Sequence, residues 1–101
     1  MNYKILIRPE AEYDLEEIYQ WYEENSRGLG SVFIRVVDAS LAVIQRSPGA
    51  YPIVYKKIRR KLMRRFPYGI FYVLESETIY IVACFHVKRD PQQWQKRLNL
   101  Q

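Results

Sequence analysis

Apolar side chains change their spacing once along this chain, and the change divides it into a helical part and a strand part. Ala11, Leu15, Ile18 and Tyr22 fall at i, i+4, i+7 and i+11, one stripe of a 3.6-residue period that Tyr19 widens. Asn25-Ser26-Arg27-Gly28 interrupts it, and a second stripe runs through Leu29, Phe33, Val36, Val37, Ser40, Leu41 and Ile44 to the breaker Ser47-Pro48-Gly49. Pro9 suits a first helical turn, where a missing N–H costs nothing, and Glu10, Glu12 and Asp14 behind it favour the positive end of a helix dipole. Two antiparallel helices with a short link are therefore predicted, with Glu12, Glu16 and Glu23 facing water.

On either side of this hairpin the pattern is that of strands. Tyr3 to Arg8 alternates imperfectly and is stopped by Pro9. After the hairpin, Ile53 to Phe66 is predicted as one strand, and Tyr68 to Leu74 and Thr78 to His86, rich in β-branched and aromatic residues, as two more joined by a Glu75-Ser76-Glu77 turn. In the last of them a period of two puts Ile79, Ile81, Ala83 and Phe85 on one face and Tyr80, Val82, Cys84 and His86 on the other. Both faces are largely apolar, which marks a central strand. Asp90-Pro91 reads as an N-cap and first-turn proline that launch a short terminal helix through Gln93, Trp94 and Arg97. The expectation is an α+β fold: an N-terminal strand, a helical hairpin, a three-strand antiparallel meander completing a twisted sheet, and a short C-terminal helix.

A chain of 101 residues has room for one core, so residues 1–101 are read as a single domain. Apolar residues make up 49% and charged residues 27%, a globular balance outside the range of disorder. The N-terminus shows no signal-peptide pattern, and no apolar run approaches the roughly 20 residues of a membrane span, which makes the cytoplasm the expected compartment and a membrane an unexpected partner. Cys84 is the single cysteine and His86 the single histidine, so neither a disulfide nor a zinc ligand set is available, and no metal or cofactor is expected. No glycine-rich phosphate loop or nucleophile motif is present, and no small-molecule substrate is expected.

The net charge of +5 conceals a division. Residues 1–55 carry 5 basic and 8 acidic side chains, and residues 56–101 carry 11 basic and 3 acidic. Within 56–65, 7 of 10 residues are Lys or Arg: Lys56, Lys57, Arg59, Arg60, Lys61, Arg64 and Arg65. On a strand these charges would fall at both parities, so one face of it could not be simple core. An edge strand guarded by charge would explain part of the excess. A polyanion or an acidic protein surface as partner explains its size and its confinement to one segment.

Arg64-Arg65-Phe66-Pro67-Tyr68-Gly69-Ile70-Phe71-Tyr72 and His86-Val87-Lys88-Arg89-Asp90-Pro91-Gln92-Gln93-Trp94, in this order of elements, resemble the RelE/ParE superfamily of bacterial type II toxins, and the ParE-like plasmid-stabilisation branch more than the RelE branch. The likeness covers nearly the whole chain. It implies a twisted antiparallel sheet crossed by a helical hairpin, toxicity to the producing cell, and neutralisation by a cognate antitoxin. ParE-like relatives imply DNA gyrase as the target, held through a surface to which Lys56, Lys57, Arg59, Arg60, Lys61, Arg64, Arg65, Arg89, Trp94 and Arg97 are assigned. RelE-like relatives imply instead a ribosome-dependent messenger-RNA endonuclease, with the ribosome and mRNA as partners and Arg64, His86 and Arg89 as catalytic groups stabilising charge on a phosphate or moving a proton. Where a RelE-like tyrosine belongs, this chain has Trp94 or Gln95, which transfer no proton. A third reading is a non-toxic relative kept as an antitoxin-binding co-repressor. Fold does not choose among them, so the arrangement of the side chains must. For His86 a locally hydrogen-bonded structural role competes with an acid–base one, and Trp94 is expected to anchor the terminal helix, at about 1.5–3 kcal/mol for full burial.

Overall fold

The computed structural model of this protein describes residues 2–99. Strand β1 (Lys4–Ile7) leads into helices α1 (Pro9–Asn25) and α2 (Leu29–Arg46), a 3-10 turn at Pro48–Ala50, strands β2 (Ile53–Tyr55), β3 (Ile58–Leu62), β4 (Tyr68–Glu75) and β5 (Thr78–His86), and helix α3 (Pro91–Leu98). The five strands form one sheet in the order β1-β5-β4-β3-β2, antiparallel throughout except where β1 lies parallel to β5. The α+β class is that predicted, and so is the order of elements except that the strand expected over 53–66 is two strands.

Four strands rather than three make up the meander, because the basic segment folds back on itself. Lys56 adopts φ 53°, in the left-handed region, and reverses the chain so that Tyr55 pairs with Ile58. The reversal is driven by burial: Ile58 is buried, with Val54 and Tyr55 packed against the same cluster. At its other end β3 stops at Leu62. Met63 and Phe66 turn into the core, Arg65 takes φ 69°, and Arg64 and Arg65 lie in a loop rather than on a strand.

The alternation predicted for β5 also breaks. Phe71 pairs with Ala83 while the next residue, Tyr72, pairs with Ile81, which leaves Val82 as an extra residue in β5. Such a bulge shifts the side-chain parity by one. Ile79, Ile81 and Cys84 consequently join one core, and Val82, Ala83 and Phe85 the other. The first core lies under the helical hairpin with Ala11, Ile18, Phe33, Val37 and Ile44; the second lies under α3, where Trp94 and Leu98 cover Phe71 and Phe85. Trp94 is buried at 6% exposure, its ring 4.9 Å from that of Phe71, so it is the predicted anchor of α3. Asp90 caps that helix, its Oδ1 accepting from Gln92 N–H at 2.9 Å.

One acid predicted to face water does not. Helix α2 begins at Gly28, φ 89°, which has no side chain to cap it, and Glu23 of α1 supplies the missing acceptor. Its carboxylate accepts from Gly28 N–H at 2.9 Å and Gly30 N–H at 3.0 Å. The helices can be this close because Gly30 lacks a Cβ, which would stand 2.7 Å from Tyr19 O. Glu23→Ala should lower stability to urea unfolding by about 1 kcal/mol and Glu23→Gln by clearly less, since the amide oxygen still accepts one of the two bonds. Equal losses in the two variants would show that the charge, rather than the cap, is what matters.

Candidate functional site: a divided cationic surface

Strand β1 pairs with β5 only as far as Ile7 opposite Ile81, after which Arg8 N–H donates to Ile81 O at 2.9 Å and the chain leaves as α1. Beyond this point the edge of β5 meets side chains. Asp14, buried on α1, accepts from Cys84 N–H at 3.0 Å through Oδ2, and both its oxygens accept from Arg97 Nη1 at 2.9 Å. Arg97 belongs to α3 on the opposite face, so its guanidinium reaches round the uncovered edge of β5. Burial pushes the Asp14 carboxyl above the ordinary aspartate range, and the Cys84 N–H and Arg97 oppose the shift only in part. The same burial pushes the Cys84 thiol up, so this cysteine is a core group, not a nucleophile.

The ten residues assigned to target contact separate into structural and free groups. Arg97 holds Asp14, and Trp94 is core. Arg59 points to the hairpin face, where Nη1 donates to Tyr51 O at 2.6 Å and Gly49 O at 3.3 Å, tying the segment after α2 to the sheet. Arg60 is on the α3 face, its alkyl chain against Gly69 and its Nε buried without an acceptor. Lys56 Nζ donates to Asn99 Oδ1, which also accepts from Tyr55 at 2.7 Å. Lys61 lies over the Tyr51 ring at 5.3 Å. Arg89 stacks on Phe85 at 4.3 Å, beside Arg97 at 5.0 Å, and its Nε donates to Gln93. Lys57, Arg64 and Arg65 are exposed, and among the described residues none of them forms an ion pair.

Charge that is contiguous in sequence is thus placed at two ends of β3. Lys56 and Lys57 form the β2–β3 turn. Arg64 and Arg65 sit at the other end, where Val87 N–H donates to Pro67 O and brings Lys88 and Arg89 alongside. The groups assigned to catalysis are divided as well. His86 is on the hairpin face, 5.2 Å from the Tyr68 ring, with Nδ1 accepting from Lys88 N–H at 3.0 Å. Arg89 is on the α3 face over Phe85, and Arg64 lines a groove between α2 and β3. Burial pushes the Tyr68 hydroxyl up to about 12, too high for proton transfer near neutrality. Among the described residues no three His, Cys, Asp or Glu side chains are placed to hold a metal ion, and no helix is long and apolar enough to cross a membrane.

Sequence reasoning passed over Asp14 and Arg8 as site residues. The first had a signal: three residues after Ala11 and four before Ile18, a carboxylate on the buried stripe requires a partner. Arg8 had none, since its position depends on where β1 ends against β5.

A family model described as the ParE toxin of type II toxin-antitoxin system, parDE, matches residues 5–91. Among solved structures the fold is similar to that of a chain described as the chromosomal ParDE TA system from P. aeruginosa, with a TM-score of 0.75 at 15% identity, covering 83% of this chain and 95% of that one. No curated protein matches.

Asp14→Ala should cost about 2–4 kcal/mol, because it leaves a buried N–H without an acceptor and a half-buried guanidinium without its anion. Asp14→Asn keeps one acceptor and should cost less. A raised native pKa means the folded chain binds the proton more tightly than the unfolded one, so the stability owed to this group is greatest below 3.8 and is lost as pH rises through the native value. Urea midpoints measured across that range should therefore show the wild type losing ground to Asp14→Asn as pH rises. A gain instead would place the native pKa below the ordinary one.

Proposed function

The chain belongs to the ParE toxin family of type II toxin-antitoxin systems, and on that premise we propose that it acts in the cytoplasm by binding DNA gyrase stoichiometrically, and that a cognate antitoxin neutralises it. The observation that carries this reading is the separation of the cationic groups. Cleaving RNA by attack of a 2′-hydroxyl needs a base, an acid and a charge-stabilising group within about 3 Å of one reacting phosphate. Arg89 stacks on Phe85 on the α3 face, while His86 against Tyr68 and Arg64 in the α2–β3 groove are on the hairpin face, and Tyr68 beside His86 is a poor acid–base group. Free cations on an apolar scaffold suit a docking surface, where each contributes a charge-assisted contact and steers approach.

The groove between α2 and β3 is the place we assign to the antitoxin. Val36, Ala39 and Val43 give it an apolar wall, and Lys61 and Arg64 a cationic one. A helical segment with one apolar and one acidic face would satisfy both and would cover Arg64, removing part of the target surface.

Titration of gyrase with this protein should inhibit supercoiling in proportion to the toxin added and saturate at a fixed ratio, with ribosomal complexes leaving their mRNA intact. Arg64→Ala and Arg89→Ala should each weaken inhibition by about 1.5–3 kcal/mol, recoverable at higher toxin concentration. Arg59→Ala should act differently, lowering folding stability through the lost Tyr51 and Gly49 contacts. Cleavage of A-site mRNA with supercoiling untouched, and a cleavage rate lost in Arg64→Ala, would transfer the assignment to the ribonuclease.

A further inference from the structure

On the α3 face, between the β2–β3 turn and the β4–β5 hairpin, lies a cleft of about 330 Å³. Its floor is apolar, built by Val73, Val82 and Leu98, while Arg8, Lys56 and Lys57 stand around it against a single acid, Glu75. This division between an apolar bed and a cationic rim is that of a site for a molecule with two unlike ends. Two further observations point the same way. Arg8 Nε is buried with no hydrogen-bond partner, although its guanidinium is 5.4 Å from the centre of the Tyr80 ring at the wall of the cleft. A buried donor left unmade is uncommon enough to require an explanation. The turn itself holds Lys56 at φ 53°, which sets its side chain at the rim of the cleft, where Nζ donates to Asn99 Oδ1, and leaves the exposed Lys57 beside it.

We propose that this cleft binds a small amphiphilic anion: a planar apolar body, of one or two rings, bearing a phosphate or carboxylate head. The body lies on Val73, Val82 and Leu98 beside Tyr80, and the head meets Arg8 and Lys57, giving the Arg8 guanidinium an anionic partner. The volume is at the lower end of the range for small-ligand sites, which sets the size of the body. An extended polyanion is disfavoured, since it would be bound by a line of exposed cations and would gain nothing from the apolar floor. The proposal does not rest on the gyrase reading: Lys56 and Lys57 are shared with the surface assigned to that target, while Arg64, Arg65 and Arg89 lie outside the cleft.

Adenosine monophosphate and indole-3-acetate are the probes, followed on the full chain by the methyl resonances of Val73, Val82 and Leu98. At least one should saturate with a Kd of about 1 mM or tighter, and which of them does so identifies the head group. Adenosine, 3-methylindole and inorganic phosphate should each bind at least about tenfold more weakly, since each supplies one end only. Lys57→Ala, an exposed turn substitution, should weaken the saturating probe by about fivefold or more, and Arg65→Ala, the same loss of charge at the far end of β3, should leave it unchanged. Absence of saturation by both probes at about 10 mM would overturn the proposal. So would neutral compounds that bind as tightly, inorganic phosphate that binds as tightly, or an Arg65→Ala effect equal to that of Lys57→Ala.

Discussion

Strand β1 is 4 residues long and β5 is 9, so the edge of β5 runs on past its neighbour. An uncovered stretch of backbone inside a small domain must find partners or lose stability. The Asp14 carboxylate meets this need from α1 on one face, accepting from Cys84 N–H, and is itself met by Arg97 from α3 on the other. One carboxylate therefore joins three elements that the two apolar cores also hold together: the first helix, the bulged strand and the terminal helix. Its net energetic contribution is modest, since desolvation opposes ionisation. What it supplies is position, because a single carboxylate accepts from the β5 N–H and from the α3 guanidinium at once.

Much of the remaining architecture follows from that clamp. With α3 held against Phe71 and Phe85, the sheet has a core on both faces, and the Val82 bulge sets which residues of β5 serve each of them. Arg97 is used up in this arrangement, as Arg59 is in holding Tyr51. Of the basic residues in the segment 56–65, the exposed ones stand at the two ends of β3, with Lys56 bonded to Asn99. One end, near Arg64 and Arg65, is an exposed cationic loop and is the part of the surface we propose for the macromolecular target. The other end, near Lys56 and Lys57, has a concave apolar site.

Residues that look equivalent in sequence thus do different work. Arg59 and Arg60 are neighbours, yet one ties a loop and the other lies against Gly69, because strand parity sends them to opposite faces. Glu23 resembles the solvated Glu12 and Glu16 on the same helix, but the missing cap at Gly28 draws it inward.

The sequence by itself determined the class and order of the elements, because helical and strand spacings are local and the breakers at Asn25–Gly28, Ser47–Gly49 and Glu75–Glu77 are short-range signals. It also determined the kinship, through the contiguous phrases around Tyr68 and His86, and the anchoring role of Trp94. Only the tertiary structure decided the reversal at Lys56, the parity shift at Val82, the division of Arg64, His86 and Arg89 between surfaces, and the pairing of Asp14 with Arg97. Each of these depends on contacts between residues far apart in the chain, 83 positions in the last case. A pattern read along one strand or helix carries no record of what the opposite face, or a neighbour's early end, will require of it.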